Sequence, residues 1–442
     1  YKDAFTLFEK LALDPQADPM KVGGDLTNGL GCLANLGLYP DMDGFREKVV
    51  KLHGDNWRLL FAAAQSVFNG VHYGVMVSGE FERGSHRGGG RYVNAMERDR
   101  VRALQLMDQA AKHVSWKGGS LLGALTGSKQ AEIANFYLQF SYMLMGHRGY
   151  GEAWRLQYLT DLSELPDYEE GYGYHYYDSG STGAAVDEEG NPVFHTVPSG
   201  YDEAKTDGQR WRWLMLKAME ADPSRRNEVL RSYADFLLQQ FGVQTMAYYG
   251  NVLGRQGDDG TTDESGIYAL HTLEDDETIA KLATGIKRFK LPKDANFIRL
   301  YKKIEAYDIV AGLYENRRLY AKAAKMWKKA GYQERVDQIV GNWGQFESSR
   351  THPEGQPAAV EYRFRNGTQV KLEARKIKFE KLLRDVERYL KSNPEHLDWN
   401  RLEVNNIGYR LVQKDRKRYV GKKVAKWDLD LKPRKNHFDK RI

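Results

Sequence analysis

At 442 residues, with 41% apolar and 12% aromatic side chains, the chain has ample material for packed cores, and two or three domains are expected. The single cysteine, Cys32, excludes an intrachain disulfide and a cysteine-based metal cluster, and no stretch approaches the roughly 20 apolar residues of a membrane span. The net charge of +6 hides an asymmetry: residues 351–442 hold 24 Lys/Arg against 13 Asp/Glu, while the rest holds 42 against 47.

Most of residues 1–350 reads as helical. Residues 3–13 carry Phe5, Leu7, Phe8, Leu11 and Ala12 on helical spacing and close at Asp14-Pro15. Cys32, within Gly29-Leu-Gly-Cys-Leu-Ala, reads as a buried small hydrophobe rather than a nucleophile. Apolar stripes place further helices at residues 55–68, 98–114 and 128–145. Residues 78–92 break this pattern with Gly84-Ser-His-Arg-Gly-Gly-Gly-Arg91. The run lacks the Gly-Lys-Ser/Thr ending and the preceding strand of a phosphate loop, so a flexible inter-helix loop is expected.

Residues 165–207 form an aromatic, turn-rich insertion. It contains Gly171-Tyr-Gly-Tyr-His-Tyr-Tyr177, and Asp187-Glu-Glu-Gly-Asn between Val186 and Val193 looks like a small hairpin. Tyr172, Tyr174, His175 and Tyr176 are the candidate binding surface, as an aromatic cage or carbohydrate platform. A flap packed on the helices is the competing reading and the favoured one. Helices are expected at 207–221, 224–241, 275–289 and 295–313. Residues 304–331 form a helical hairpin of tetratricopeptide type, without a strict 34-residue period elsewhere. The fold expected for 1–350 is therefore mainly α, an array of helical hairpins forming a degenerate tetratricopeptide-like solenoid.

Residues 351–442 are expected to form a small α+β segment. Val360, Tyr362 and Phe364 alternate with charged residues, Asn366-Gly367 follows, and Val370, Leu372 and Ala374 alternate again. Two period-2 runs around Asn-Gly predict a hairpin. Ile377, Phe379, Leu382, Leu383, Val386, Tyr389 and Leu390 then mark an amphipathic helix. Ala425, Trp427, Leu429 and Leu431 mark a strand whose apolar side faces inward. The closing residues read as the opening of a β-domain with more to follow.

No catalytic or cofactor motif emerges. The histidines, His53, His72, His86, His113, His147, His175, His195 and His271 among them, lack zinc-binding spacing. Asp258-Asp-Gly-Thr-Thr-Asp-Glu264 resembles a calcium loop in composition only. The basic run Lys414-Asp-Arg-Lys-Arg418, near Tyr409 and Tyr419, reads as a solvated turn rather than a nucleic-acid surface. No metal, cofactor, nucleic acid or membrane span is expected.

Three phrases together resemble the N-terminal region of large bacterial alpha-2-macroglobulin-like proteins. They are Gln338-Ile-Val-Gly-Asn-Trp-Gly-Gln-Phe346, Val360-Glu-Tyr-Arg-Phe-Arg-Asn-Gly367, and Leu390-Lys-Ser-Asn-Pro-Glu-His-Leu-Asp-Trp399 running on to Trp427-Asp-Leu-Asp-Leu-Lys-Pro-Arg434. Ala153-Trp-Arg-Leu-Gln-Tyr-Leu-Thr-Asp161 and Arg210-Trp-Arg-Trp213 fit the same region. The resemblance implies a helical, tetratricopeptide-like region leading into macroglobulin β-sandwiches, and export to the periplasm or cell envelope. It also implies a protease trap in which a cleaved bait region triggers enclosure of the attacker. The Cys-Leu-Glu-Gln thioester of some members has no counterpart here, since Cys32 is followed by Leu-Ala-Asn. The expected function is a non-catalytic scaffold or docking fragment of such an inhibitor, with protein partners. The alternatives are a stand-alone helical-repeat adaptor and a glycan-binding protein or hydrolase using the Tyr172–Tyr177 loop.

Overall fold

The computed structural model describes residues 1–114, 127–171, 183–243, 269–347, 355–357, 359–392, 395 and 416–442. About half of the structure is helical, with several small antiparallel sheets, a mixed α/β architecture. The described residues up to Val310 form one compact unit, and those from Ala311 onward form another.

The first unit opens with α1 (Lys2–Ala12), α2 (Val22–Leu36), α3 (Pro40–Leu52) and α4 (Trp57–Phe68). Helix α2 carries four glycines inside it, and Gly29 shows why one of them is there. A Cβ at that position would lie 2.7 Å from the Phe45 ring, so only glycine lets α2 reach α3 this closely. Helix α4 starts where the Asn56 side chain accepts from the backbone N–H groups of Arg58 and Leu59. Its face of Leu59, Leu60, Ala63, Ala64 and Val67 is fully buried.

Residues 73–94 hold three strands, and the expected loop at the glycine run, residues 84–90, connects two of these strands rather than two helices. β1 (Tyr73–Val77) pairs with β2 (Glu80–Arg83) and with β3 (Arg91–Asn94), all antiparallel. The glycines serve turns and close approach. Gly79 and Gly84 have φ of +90° and +89°, and a Cβ on Gly74 would meet the Glu82 carbonyl at 2.3 Å. Helices α5 (Met96–His113) and α6 (Gly127–Met145) follow, then a 3₁₀ segment (Gly149–Gln157) and β4 (Glu169–Glu170), which adds to β3. The expected small hairpin is present, with Val186 bridged to Pro192. Helices α7 (Asp207–Ala221) and α8 (Arg226–Phe241) complete the helical core around the buried Trp211.

Two expected helices are otherwise. Residues 275–289 form the hairpin of β5 (Glu277–Leu282) and β6 (Gly285–Lys290). The β-branched Thr278 and Ile279 are buried, and Gly285 turns at φ +114°. The span 295–313 is broken into α9 (Phe297–Lys303) and α10 (Tyr307–Asn316) at Glu305, whose φ is +60°.

The second unit continues with α11 (Tyr320–Lys329) and α12 (Gln333–Val340), joined at Gly331 with φ +82°. Glu315 ties the helices together, accepting from Trp327 Nε1 at 2.5 Å and Arg335 at 2.8 Å. β7 (Trp343–Phe346), β8 (Tyr362–Arg365), β9 (Gln369–Ile377), α13 (Phe379–Lys391), α14 (Arg416–Tyr419), β10 (Val420–Asp430) and β11 (Lys440–Arg441) follow.

The expected hairpin across Asn366-Gly367 does not form. β8 lies between β7 and β11, whereas β9 pairs with β10 in a separate ribbon. Asn366 is a corner between two sheets. Its φ is +61°, Gly367 does not share that sign, and its Nδ2 donates to the carbonyls of Ile339 and Gly341 at 2.9 and 2.8 Å. A type I′ turn needs φ > 0 at both central residues, and the capping of α12 by Asn366 replaces it.

Candidate functional site

A cleft of about 830 Å³ opens in the first unit between the start of α5 and residues 154–169. Its floor is a charge network. Arg100, buried on α5, donates to Glu97 at 2.7 Å and to Thr160 Oγ1 at 3.0 Å, and Arg155 donates to the same Glu97 at 2.7 Å. Burial opposes ionisation of Glu97, but the two guanidiniums outweigh it and hold the carboxyl below its usual range.

The far wall is pinned at several points. Asp207 receives the hydroxyl of Thr160 and its backbone N–H, and Gln105 donates to the Leu162 carbonyl at 3.1 Å. Arg98 donates to the Pro166 carbonyl at 2.8 Å and lies over the Tyr168 ring. Tyr168 in turn stacks on Phe81 with centroids 4.5 Å apart. Burial raises the Asp207 carboxyl above its ordinary value despite Thr160 and Arg210.

The mouth has a different chemistry. Trp154 and Tyr158 meet edge to face at 6.2 Å and are 45% and 64% exposed. Asp161, Glu164, Asp167 and Glu169 also line the cleft and are exposed. Five carboxylates thus face two guanidiniums, and both guanidiniums are already held by Glu97.

Behind the cleft lies a second, closed network. Asp99 is paired with His72 Nδ1 at 2.8 Å and with both terminal nitrogens of Arg83 at 2.6 and 2.9 Å. Arg83 Nε reaches Asp43 at 2.9 Å. Burial disfavours the Asp99 carboxylate, yet His72 and Arg83 keep it below the usual range. Arg83 and Asp99 are buried and mutually satisfied, which suits a structural core.

Among the described residues, the second unit presents a partly exposed apolar sheet face. In the β9–β10 ribbon Trp427 lies opposite Leu372, Leu429 opposite Val370 and Ala425 opposite Ala374. The other face pairs opposite charges, Asp428 with Lys371 and Lys426 with Glu373. Trp427 is 48% exposed and Leu429 36%, so these residues share a side as expected but do not face inward. Only Leu431 is buried. Nearby, α13 buries Leu382 against Tyr419 and leaves Phe379, Leu383 and Leu390 exposed.

Tyr172, Tyr174, His175 and Tyr176 lie outside the described residues, as do Asp258–Glu264, Tyr409 and the first two residues of the 414–418 basic run; Arg416–Tyr419 form the short helix α14 rather than the expected turn, and Arg418 pairs with Asp385 at 2.7 Å. The cleft was not read as a site from sequence. Its available signal was an aromatic pair four residues apart, Trp154 and Tyr158, followed by acids at 161, 164, 167 and 169. Among the described residues no group of three His, Cys, Asp or Glu is placed to hold a metal, and no helix is long and apolar enough to cross a membrane. The chain matches no family model, no curated protein and no solved structure.

Proposed function

We propose that this chain is a non-catalytic scaffold and docking portion of a macroglobulin-like protease trap, its helical hairpins forming a degenerate tetratricopeptide-like array. The observation that supports this reading most is the two-faced β9–β10 ribbon. One face sets Asp428 opposite Lys371 and Lys426 opposite Glu373, with Lys423 paired to Glu373 across the strands at 3.6 Å, and the other carries Trp427, Leu429, Leu372 and Val370. A two-stranded ribbon is marginal by itself, and an apolar sheet face is normally covered by a second layer. A macroglobulin-type β-layer supplies such a cover, and the phrases around Trp343, Tyr362 and Trp427 resemble that family.

The test uses the complete product of the gene, challenged with a panel of endoproteases. The expected result is preferential cleavage in a segment outside residues 1–442, followed by compaction and retention of the protease. The enclosed protease should hydrolyse small substrates while large ones are excluded. Residues 1–442 by themselves should leave every protease free. Inhibition by residues 1–442 alone, or a complete gene product that retains no protease, would contradict the proposal.

A further inference from the structure

We propose that the cleft between α5 and residues 154–169 captures an arginine or lysine side chain presented on a peptide. Acidic residues on a surface segment are ordinarily just solvated, so the carboxylates alone do not argue for a site. The independent observation is the open cleft of about 830 Å³ with an exposed Trp154–Tyr158 pair among its lining. Large aromatic rings left in contact with solvent at a concave polar surface supply the π-faces that bind cations. Arg155 already lies over the Trp154 ring at 4.7 Å, a cation–π contact of this type within the chain itself.

The electrostatics select the ligand. Glu97 is committed to Arg100 and Arg155 in the floor, which leaves the lip negative. Asp161 stays ionised, its carboxyl lowered by the hydroxyl and backbone N–H of Ser163. Glu164, Asp167 and Glu169 meet no cation among the described residues. Arg98 and Arg91 are nearby, but Arg98 is bound to the Pro166 carbonyl and Arg91 to Glu170. An anion would therefore be repelled. A neutral sugar would stack on the rings without using the charge. A guanidinium or ammonium satisfies both, lying against the rings while its N–H groups donate to the carboxylates. The wall's backbone is held by Asp207, Gln105 and Arg98, which lowers the ordering that binding requires.

The experiment is fluorescence anisotropy of the whole chain with a labelled peptide carrying one arginine between glycines. Its citrulline counterpart, free spermidine and a neutral glucan oligomer serve as separate probes. Saturable binding of the arginine peptide that weakens with added salt, and is lost in the citrulline peptide, is expected. Trp154→Ala with Tyr158→Ala should weaken binding about tenfold or more. Glu164→Gln with Asp167→Asn should weaken it too and flatten the salt dependence. All four side chains are exposed, so these variants should fold, which an unchanged circular dichroism spectrum and melting temperature verify. Equal binding of the citrulline peptide, or indifference to both double substitutions, would overturn the proposal. Binding of spermidine without the peptide would assign the cleft to free polyamines. Salt-independent glucan binding would make it a carbohydrate site. Either result would also overturn the peptide assignment.

Discussion

His195 shows how one residue couples burial to pH. It packs against the contacting rings of Trp211 and Phe236, and burial, then the charge of Arg212, pushes its pKa down to about 4. The ring is thus neutral at pH 7, and the unfolded chain, with an ordinary value of 6.5, takes up a proton first. Its contribution to stability is whole above about pH 6.5 and is lost as the pH falls toward 4, by on the order of 3 kcal/mol. His147, stacked on Phe68 and also lowered to about 4, acts in the same window. Glu97 and Asp99, held below their usual range, extend the loss at lower pH, while Asp207, raised by burial, opposes it. In NMR titrations the His195 and His147 ring signals should stay unprotonated through pH 6. Midpoints near 6.5 would refute this packing. Removing the partner of a buried charge costs more. Asp99→Ala leaves Arg83 in the interior with the Val71 carbonyl and, as its remaining carboxylate, the half-exposed Asp43, and should cost about 3–5 kcal/mol in urea unfolding. A cost below about 1 kcal/mol would mean that water enters the network.

Asn366 illustrates what an element boundary demands. Asn366→Ala removes two hydrogen bonds to the end of α12 and places a Cβ-bearing residue without local compensation at φ +61°. The expected loss is about 2 kcal/mol in the second unit, and Asn366→Gly should lose less because it relieves the backbone. Equal losses in the two variants would show that the hydrogen bonds alone matter. The same residue marks where the sequence was misread. Asn-Gly between alternating runs is the pattern of a hairpin, and only the competing partners β7, β10 and β11 exclude it. The strongly patterned helices α5, α6, α7, α11 and α13 were legible from their apolar spacing. Helix α2 was not, because glycines that permit close approach to Phe45 look like breakers. The apolar positions of the β5–β6 hairpin fit both periods, so spacing alone predicts a helix there. Long-range pairing, which composition does not encode, decided between them. The cleft was hidden for a related reason. Glu97 and Arg100 come from α5, and Trp154 to Glu169 lie more than fifty positions later, so only the fold assembles them.

At the scale of the whole molecule, the defining property is a surface whose two sides obey different rules. The charged side of the β9–β10 ribbon suits water, whereas its apolar side is the face that the proposed function assigns to a further layer. Trp427→Glu with Leu429→Lys should therefore change the melting temperature of residues 1–442 little, since both side chains are substantially exposed. It should lower binding of an apolar dye such as ANS. A large loss of stability would mean that the face is already packed. The most direct measurement is hydroxyl-radical footprinting of Trp427 in residues 1–442 and in the complete gene product. Strong oxidation is expected in the first and protection in the second, with the protection lost in the Leu429→Lys variant. Equal oxidation in both, or a gene that ends at Ile442, would contradict the assignment of this face to a further β-layer.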